Sequence, residues 1–216
     1  MQLSMINHKH KFIFIHIPKT AGNSIDTLFS GRGLVDEGLW HHTSSQLIDR
    51  FGLETWNNYY KFTVVRNPWD RLVSEYSWQS GTGKGQISTP WGNKEVSFEN
   101  FVNMVRDQPN DHQLTWRETS QTWYPKREIK NGHLADQTCF TEVKDGASNL
   151  DFIIKYENLQ SGFNHVCKAI GLEKLNLPHR NKSNRSINYR EYYNESTKAI
   201  TLEKYNRDII NFNYQF

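Results

Sequence analysis

Three times along this chain a short run of β-branched and aromatic residues breaks off at a turn and passes directly into a segment with helical spacing. The first run is "FIFIHI" at 12–17, ended by Pro18 and followed from Asn23 by "NSIDTLFS", where Ile25, Leu28 and Phe29 share a face. The second is "FTVV" at 62–65; Arg66, Asn67 and Pro68 follow, then a segment carrying Leu72, Val73 and Tyr76. Pro68 suits a first helical position and Asn67 suits its cap. The third is "DFIIKY" at 151–156, followed by "ENLQSGFNHVCKAIGL", with Leu159, Phe163, Val166 and Ile170 on one face and Gly171 as the stop. Strands joined through helices pair in parallel. The pattern therefore predicts an α/β domain whose central, mainly parallel sheet is covered by helices on both faces.

At 216 residues the chain suits one domain over 1–216. Residues 80–135 show little periodicity, from the Gly-rich "SGTGKGQ" to the Trp-bearing "TWRETSQTWYPK", and are expected to form a long loop-rich insertion that serves as a lid or binding loop. Near the end, Leu202, Tyr205, Ile209 and Phe212 recur at helical spacing after Asn194, a good cap, and Glu195, a first-turn acid. They predict one last amphipathic helix.

The charge balance narrows the partners. With 26 Lys and Arg against 23 Asp and Glu, the net charge of +3 is too small to hold a nucleic-acid polymer, and it suits a small anion held by a few local cations. Cys139 and Cys167 lack the count of a disulfide framework and the spacing of a zinc site, so they read as reduced thiols. The apolar run at 12–17 is too short to span a bilayer and leads into a loop, not a cleavage site. The expectation is a soluble protein of the cytoplasm with no membrane segment.

In parallel α/β sheets, ligands bind beyond the carboxyl ends of the strands. Two polar constellations fall there. In "HIPKTAGNS", Gly22 permits close backbone approach, the amides opening the helix present a positive dipole, and Lys19, Thr20 and Ser24 add donors. That is a cradle for a phosphate-like group, the mark of a P-loop-like domain, although its lysine precedes its glycine and no Gly-Lys-Ser follows. In "VVRNPWDRLVSEY", Arg66 at a strand end and Ser74 two helical turns on can clamp a second phosphate.

Together these two stretches resemble the nucleotide-binding signatures of the sulfotransferases that use 3′-phosphoadenosine 5′-phosphosulfate. The resemblance is to the branch acting on carbohydrate hydroxyls (heparan 2-O, chondroitin 4-O and HNK-1 type), and to a soluble, bacterial type of member. "IIKYENL", "LPHRNKSNRSINYREYY" and "DIINFNYQF" look like that family's later blocks. The resemblance implies that Lys19, Thr20, Ala21, Gly22, Asn23 and Ser24 bind the 5′-phosphosulfate and that Arg66 and Ser74 bind the 3′-phosphate. Asn23 stands where the family commonly has Thr. Arg185, Tyr189 and Arg190 are expected to close over the nucleotide. The order of the loop then makes sense: a sulfuryl donor has no γ-phosphate, so Lys19 sits beside the leaving phosphate, and no metal is required.

An acceptor hydroxyl also needs a base. His41 and His42 precede a helix capped by Thr43 or Ser44, whose N-terminus disfavours imidazolium; His42 is preferred, with His41 as the other candidate. His16, within the first strand, is expected to be a core or supporting residue, and Asp70 and Glu75 are expected to be surface ion-pair residues. Trp116, Arg117, Gln121 and Trp123 suit contact with sugar rings and hydroxyls on a glycan or saccharide-containing acceptor. Two other functions stay open at this level. One is a P-loop-like small-molecule kinase, and the other is a non-catalytic module that binds a nucleotide or a glycan.

Overall fold

The computed structural model describes residues 3–79, 86–89, 92–106, 133–178, 186 and 188–216. In chain order the elements are strands β1 (Leu3–Asn7) and β2 (Phe12–Ile15), helix α1 (Gly22–Gly31), strand β3 (Glu37–Trp40), helices α2 (Ser44–Phe51) and α3 (Leu53–Asn58), and strand β4 (Tyr60–Val65). Helix α4 (Pro68–Gln79), strands β5 (Gln86–Thr89) and β6 (Gly92–Glu95), and helices α5 (Phe98–Arg106) and α6 (Thr138–Thr141) follow. Strand β7 (Phe152–Lys155) and helices α7 (Leu159–Ala169), α8 (Glu195–Lys204) and α9 (Asn206–Asn211) complete the order. Two compact units emerge, one from 1–66 with 137–180, the other from 67–136 with 181–216.

The first unit is built on a five-stranded sheet of order β3-β1-β2-β4-β7. β2 pairs with β4, and β4 with β7, in parallel, while β1 runs antiparallel to both β2 and β3. The α/β class with a parallel centre is as expected. The antiparallel extension is an addition, hidden in the sequence because Ser4 and Asn7 interrupt the apolar pattern of β1. Both are buried, and each has a partner: the Ser4 hydroxyl donates to the His42 carbonyl, and Asn7 Oδ1 accepts from the His10 amide in the hairpin turn.

One face of this sheet presents Phe12, Phe14, Phe62, Val64 and Ile154 to Ile25 and Phe29 of α1 and to Phe163 and Val166 of α7. Ring centroids lie 5.0 Å apart for Phe12–Phe29 and for Phe14–Phe62, and 5.5 Å apart for Phe29–Phe163. Each such ring contributes roughly 1.5–3 kcal/mol through burial. The alternate residues Ile13, Ile15, Thr63 and Val65 are also buried, so the opposite face is covered as well. α7 stops where expected, with Ile170 as its C-terminal cap residue and Gly171 at φ 71 beyond it.

In the second unit, α4 begins at Pro68 with the Asn67 side chain accepting from the Trp69 amide, the cap the sequence announced. Two expectations need correction. The stretch 80–135 is not uniformly aperiodic: α5 lies within it, and Phe98, Phe101, Val102 and Val105 bury one face against Leu72, Val73 and Tyr76 of α4. The final helix is two helices, α8 and α9, interrupted at Tyr205. Leu202 is exposed, and the buried stripe runs through Thr197, Thr201, Tyr205, Asp208 and Phe212. Local bonds make that polar stripe tolerable, since Thr201 donates to the Thr197 carbonyl and Tyr205 to the Leu134 carbonyl. Among the described residues no helix is long and apolar enough to cross a membrane.

Candidate functional site

His16, Arg66 and Tyr156 are each the first residue beyond one of the three strands that pair in parallel, β2, β4 and β7. The loop at 18–21 leaves the first of these ends, and its backbone is unusual. Lys19 and Ala21 both adopt the left-handed conformation, with φ 68 and 70, a geometry uncommon outside glycine. Ala21 is the cap residue of α1 and supplies no side-chain acceptor, and the first turn of α1 carries no acid. The amide donors opening this helix therefore have no side-chain cap and no neighbouring carboxylate of their own turn, which suits an anion. By contrast, α2 closes its own N-terminus with a Thr43–Gln46 capping box.

Gly22 is required for a local reason. A Cβ there would lie 2.0 Å from both Cδ2 and Nε2 of His16, so the imidazole occupies the space any other residue would need. His16 thus supports the loop from below, packed on its other sides by Phe14 at 5.7 Å and His41 at 4.5 Å between ring centroids. Thr20 is buried and its hydroxyl donates to the Ile17 carbonyl at 2.8 Å, so its hydroxyl hydrogen holds the loop together and its amide is the group left to meet a ligand. Ser24 is buried in the first turn of α1, its amide on the Ala21 carbonyl at 2.9 Å. Asn23 carries a buried Oδ1 without a hydrogen-bond partner; turning that amide over would present its NH₂ and add a donor to the loop. Asp26, on the same helix, has its carboxyl pushed up by burial, against the opposing bond from Ser30, which reduces its tendency to carry negative charge near the loop. These residues fit a phosphate-like group.

Arg66 joins this loop directly. Its Nη1 donates to the Lys19 carbonyl at 3.1 Å, and its guanidinium lies 4.0 Å above the centroid of the Tyr156 ring. Its own peptide is gripped on both sides by Gln137, which accepts from the Arg66 amide at 2.8 Å and donates to the Arg66 carbonyl at 2.9 Å. Neither Gln137 nor Tyr156 was singled out from the sequence. Tyr156 could have been, as an aromatic residue at a parallel strand end, whereas Gln137 carries no local signal.

The two candidate bases differ. His41 is buried, with φ 38, and its Nδ1 lies 2.9 Å from the His16 carbonyl; a carbonyl only accepts, so Nδ1 carries the proton and Nε2 is the basic nitrogen of the neutral ring. His42 is half-buried and immediately precedes the Thr43 cap.

The remaining candidates belong to the second unit or lie outside the described residues. Ser74 is half-buried on α4. Tyr189 accepts from Asn67 Nδ2 at 3.3 Å, and Arg190 is exposed, with its guanidinium 4.9 Å from the Tyr189 ring and 5.6 Å from the Phe216 ring. Glu75 is not a surface residue as expected: it is buried, bonded to His133 Nδ1 at 3.1 Å, beside Arg71, whose guanidinium donates to the carbonyls of Ala135 and His133. Trp116, Arg117, Gln121, Trp123 and Arg185 lie outside the described residues.

The model of the sulfotransferase family matches residues 2–215. No curated protein and no solved structure matches the chain. A family match spanning both strand-end constellations, over a fold with a parallel centre and an uncapped loop-to-helix junction, leads to one conclusion: the chain belongs to the sulfotransferase family.

Proposed function

We propose that this protein moves a sulfuryl group from 3′-phosphoadenosine 5′-phosphosulfate to a hydroxyl of a carbohydrate or saccharide-containing acceptor, as one catalytic domain over 1–216 and as a bacterial-type member of the carbohydrate branch. The observation that carries the proposal is the left-handed, uncapped loop at 19–24 with Arg66 bonded to its Lys19 carbonyl. The donor supplies an activated sulfur whose leaving group is a phosphate. Lys19 lies against the bridging oxygen and neutralises the charge that grows there. The amides of residues 20–23, with the Ser24 hydroxyl, hold the 5′ end, while Arg66 and Ser74 hold the 3′-phosphate. Arg185, Tyr189 and Arg190 cover the nucleotide.

His42 takes the acceptor proton. An acceptor arrives from outside, and of the two histidines His42 is the less buried, next to the Thr43 cap of α2. His41 is closed off by burial and suits a supporting role beside His16. Acceptor contacts fall to Trp116, Arg117, Gln121 and Trp123 in the segment 80–135.

Thermal melting with 3′,5′-bisphosphoadenosine and with ATP–magnesium, on wild type and Arg66→Ala, tests the donor assignment. The bisphosphate is expected to raise the wild-type Tm, ATP–magnesium to raise it less, and Arg66→Ala to lose most of the bisphosphate effect. A protein stabilised by ATP–magnesium alone is not a sulfotransferase of this kind.

A further inference from the structure

Arg66 is assigned above to the 3′ end of the donor, yet its hydrogen bonding ties it to the 5′ end. Its Nη1 donates to the main-chain carbonyl of Lys19, the residue that opens the phosphate loop. Lys19 holds φ 68, and a non-glycine residue stays in the left-handed region only where its surroundings hold it there. A charged donor on its carbonyl is such a restraint, stronger than a neutral hydrogen bond. The guanidinium is itself prevented from swinging. Its plane is carried by the Tyr156 ring at 4.0 Å, and its peptide is fixed at both N–H and C=O by the one side-chain amide of Gln137. Arg66 and Gln137 are both buried, so the two bonds between them are little weakened by water.

We infer that Arg66 is a positioning residue for the phosphate loop, holding Lys19 through its carbonyl, and that Tyr156 and Gln137 hold Arg66 for that task. The inference rests on the donor assignment of the preceding section. It has a consequence for specificity: the group that reads the 3′-phosphate also sets the loop that holds the 5′ end, so the two ends of the donor are recognised jointly. Adenosine 5′-phosphosulfate, which lacks only the 3′-phosphate, should then depend on Arg66 although it offers that side chain no phosphate to bind.

Calorimetric titration of the full chain with 3′,5′-bisphosphoadenosine and with adenosine 5′-phosphosulfate separates the possibilities. In Arg66→Ala the affinity for both ligands should fall, that for adenosine 5′-phosphosulfate by about tenfold, the scale of one charge-assisted hydrogen bond. Tyr156→Leu should lower both in the same direction, and Tyr156→Phe, which keeps the ring, should stay within about twofold of wild type. Gln137→Glu, which keeps one half of the grip and turns the other into a repulsion, should resemble Tyr156→Leu. If Arg66→Ala weakens only the bisphosphate, the inference falls and the donor assignment stands. If wild type binds neither ligand, the donor assignment itself falls. Should Arg66→Ala fail to fold, the Tyr156→Leu and Tyr156→Phe pair decides alone: equal affinities for adenosine 5′-phosphosulfate in the two would overturn the inference.

Discussion

Gly22 and His16 form one device. The imidazole fills the volume that a Cβ at position 22 would enter at 2.0 Å, a separation real side chains do not tolerate. Gly22→Ala should therefore displace either the loop or the ring, and weaken binding of 3′,5′-bisphosphoadenosine by more than about tenfold, since overpacking of this kind costs roughly 1–3 kcal/mol. In a His16→Ala background the same change meets an empty space. There it should cost much less, and calorimetry on the four proteins of that cycle reads the coupling. Equal losses in both backgrounds would show that the ring does not support the loop. The glycine was legible as a close-approach position from "PKTAGNS" alone, but its reason was not: the partner is a strand-end histidine six residues earlier, brought over the loop only by the turn at 18–21. Glu75 illustrates the same limit in the other direction. Its place on the helix after the second strand suggested a surface ion-pair residue, yet it is buried, and its partner His133 is 58 positions away.

At the scale of elements, the three strand-to-helix units were legible because each states its period and its punctuation locally: Pro18 after Ile17, Asn67 before Pro68, Gly171 after Ile170. Elements whose signals depend on tertiary partners were not. β1 carries Ser4 and Asn7 at buried positions, where pairing with β2 and β3 makes the strand and side-chain bonds to the His42 carbonyl and the His10 amide satisfy the polar groups. The α8–α9 pair reads as one helix in the sequence since its spacing continues through Tyr205, where the backbone departs from helical geometry at φ -111, ψ 27. α5 is different, for "FENFVNMV" has plain helical spacing that the Gly-rich stretch before it and the Trp-rich stretch after it obscured. Its weight in the second unit can be measured. Phe101 is fully buried between Tyr76 and Phe98, with ring centroids at 5.4 and 6.4 Å, so Phe101→Ala should lower the unfolding free energy by roughly 3–5 kcal/mol in urea titration. A loss under about 1 kcal/mol would mean that α5 is peripheral to that core.

At the scale of the whole chain, membership of the sulfotransferase family and a sheet with a parallel centre agree with what two short stretches, "HIPKTAGNS" and "VVRNPWDRLVSEY", implied. The proposed donor site draws on those stretches because phosphate binding is local: one loop, one helix N-terminus, one arginine at a neighbouring strand end. In the proposed function acceptor choice falls to 80–135, a stretch whose sequence carries no comparable signature. In the proposed reaction Lys19 stabilises a leaving phosphate as sulfur is transferred. The most direct test is the rate at which wild type and Lys19→Ala release 3′,5′-bisphosphoadenosine from 3′-phosphoadenosine 5′-phosphosulfate, with heparan and chondroitin oligosaccharides as acceptors. The account predicts saccharide-dependent release by wild type and a rate lower by roughly a hundredfold or more in Lys19→Ala, as for loss of one preorganised charge-stabilising donor; a near-wild-type rate in Lys19→Ala would contradict it.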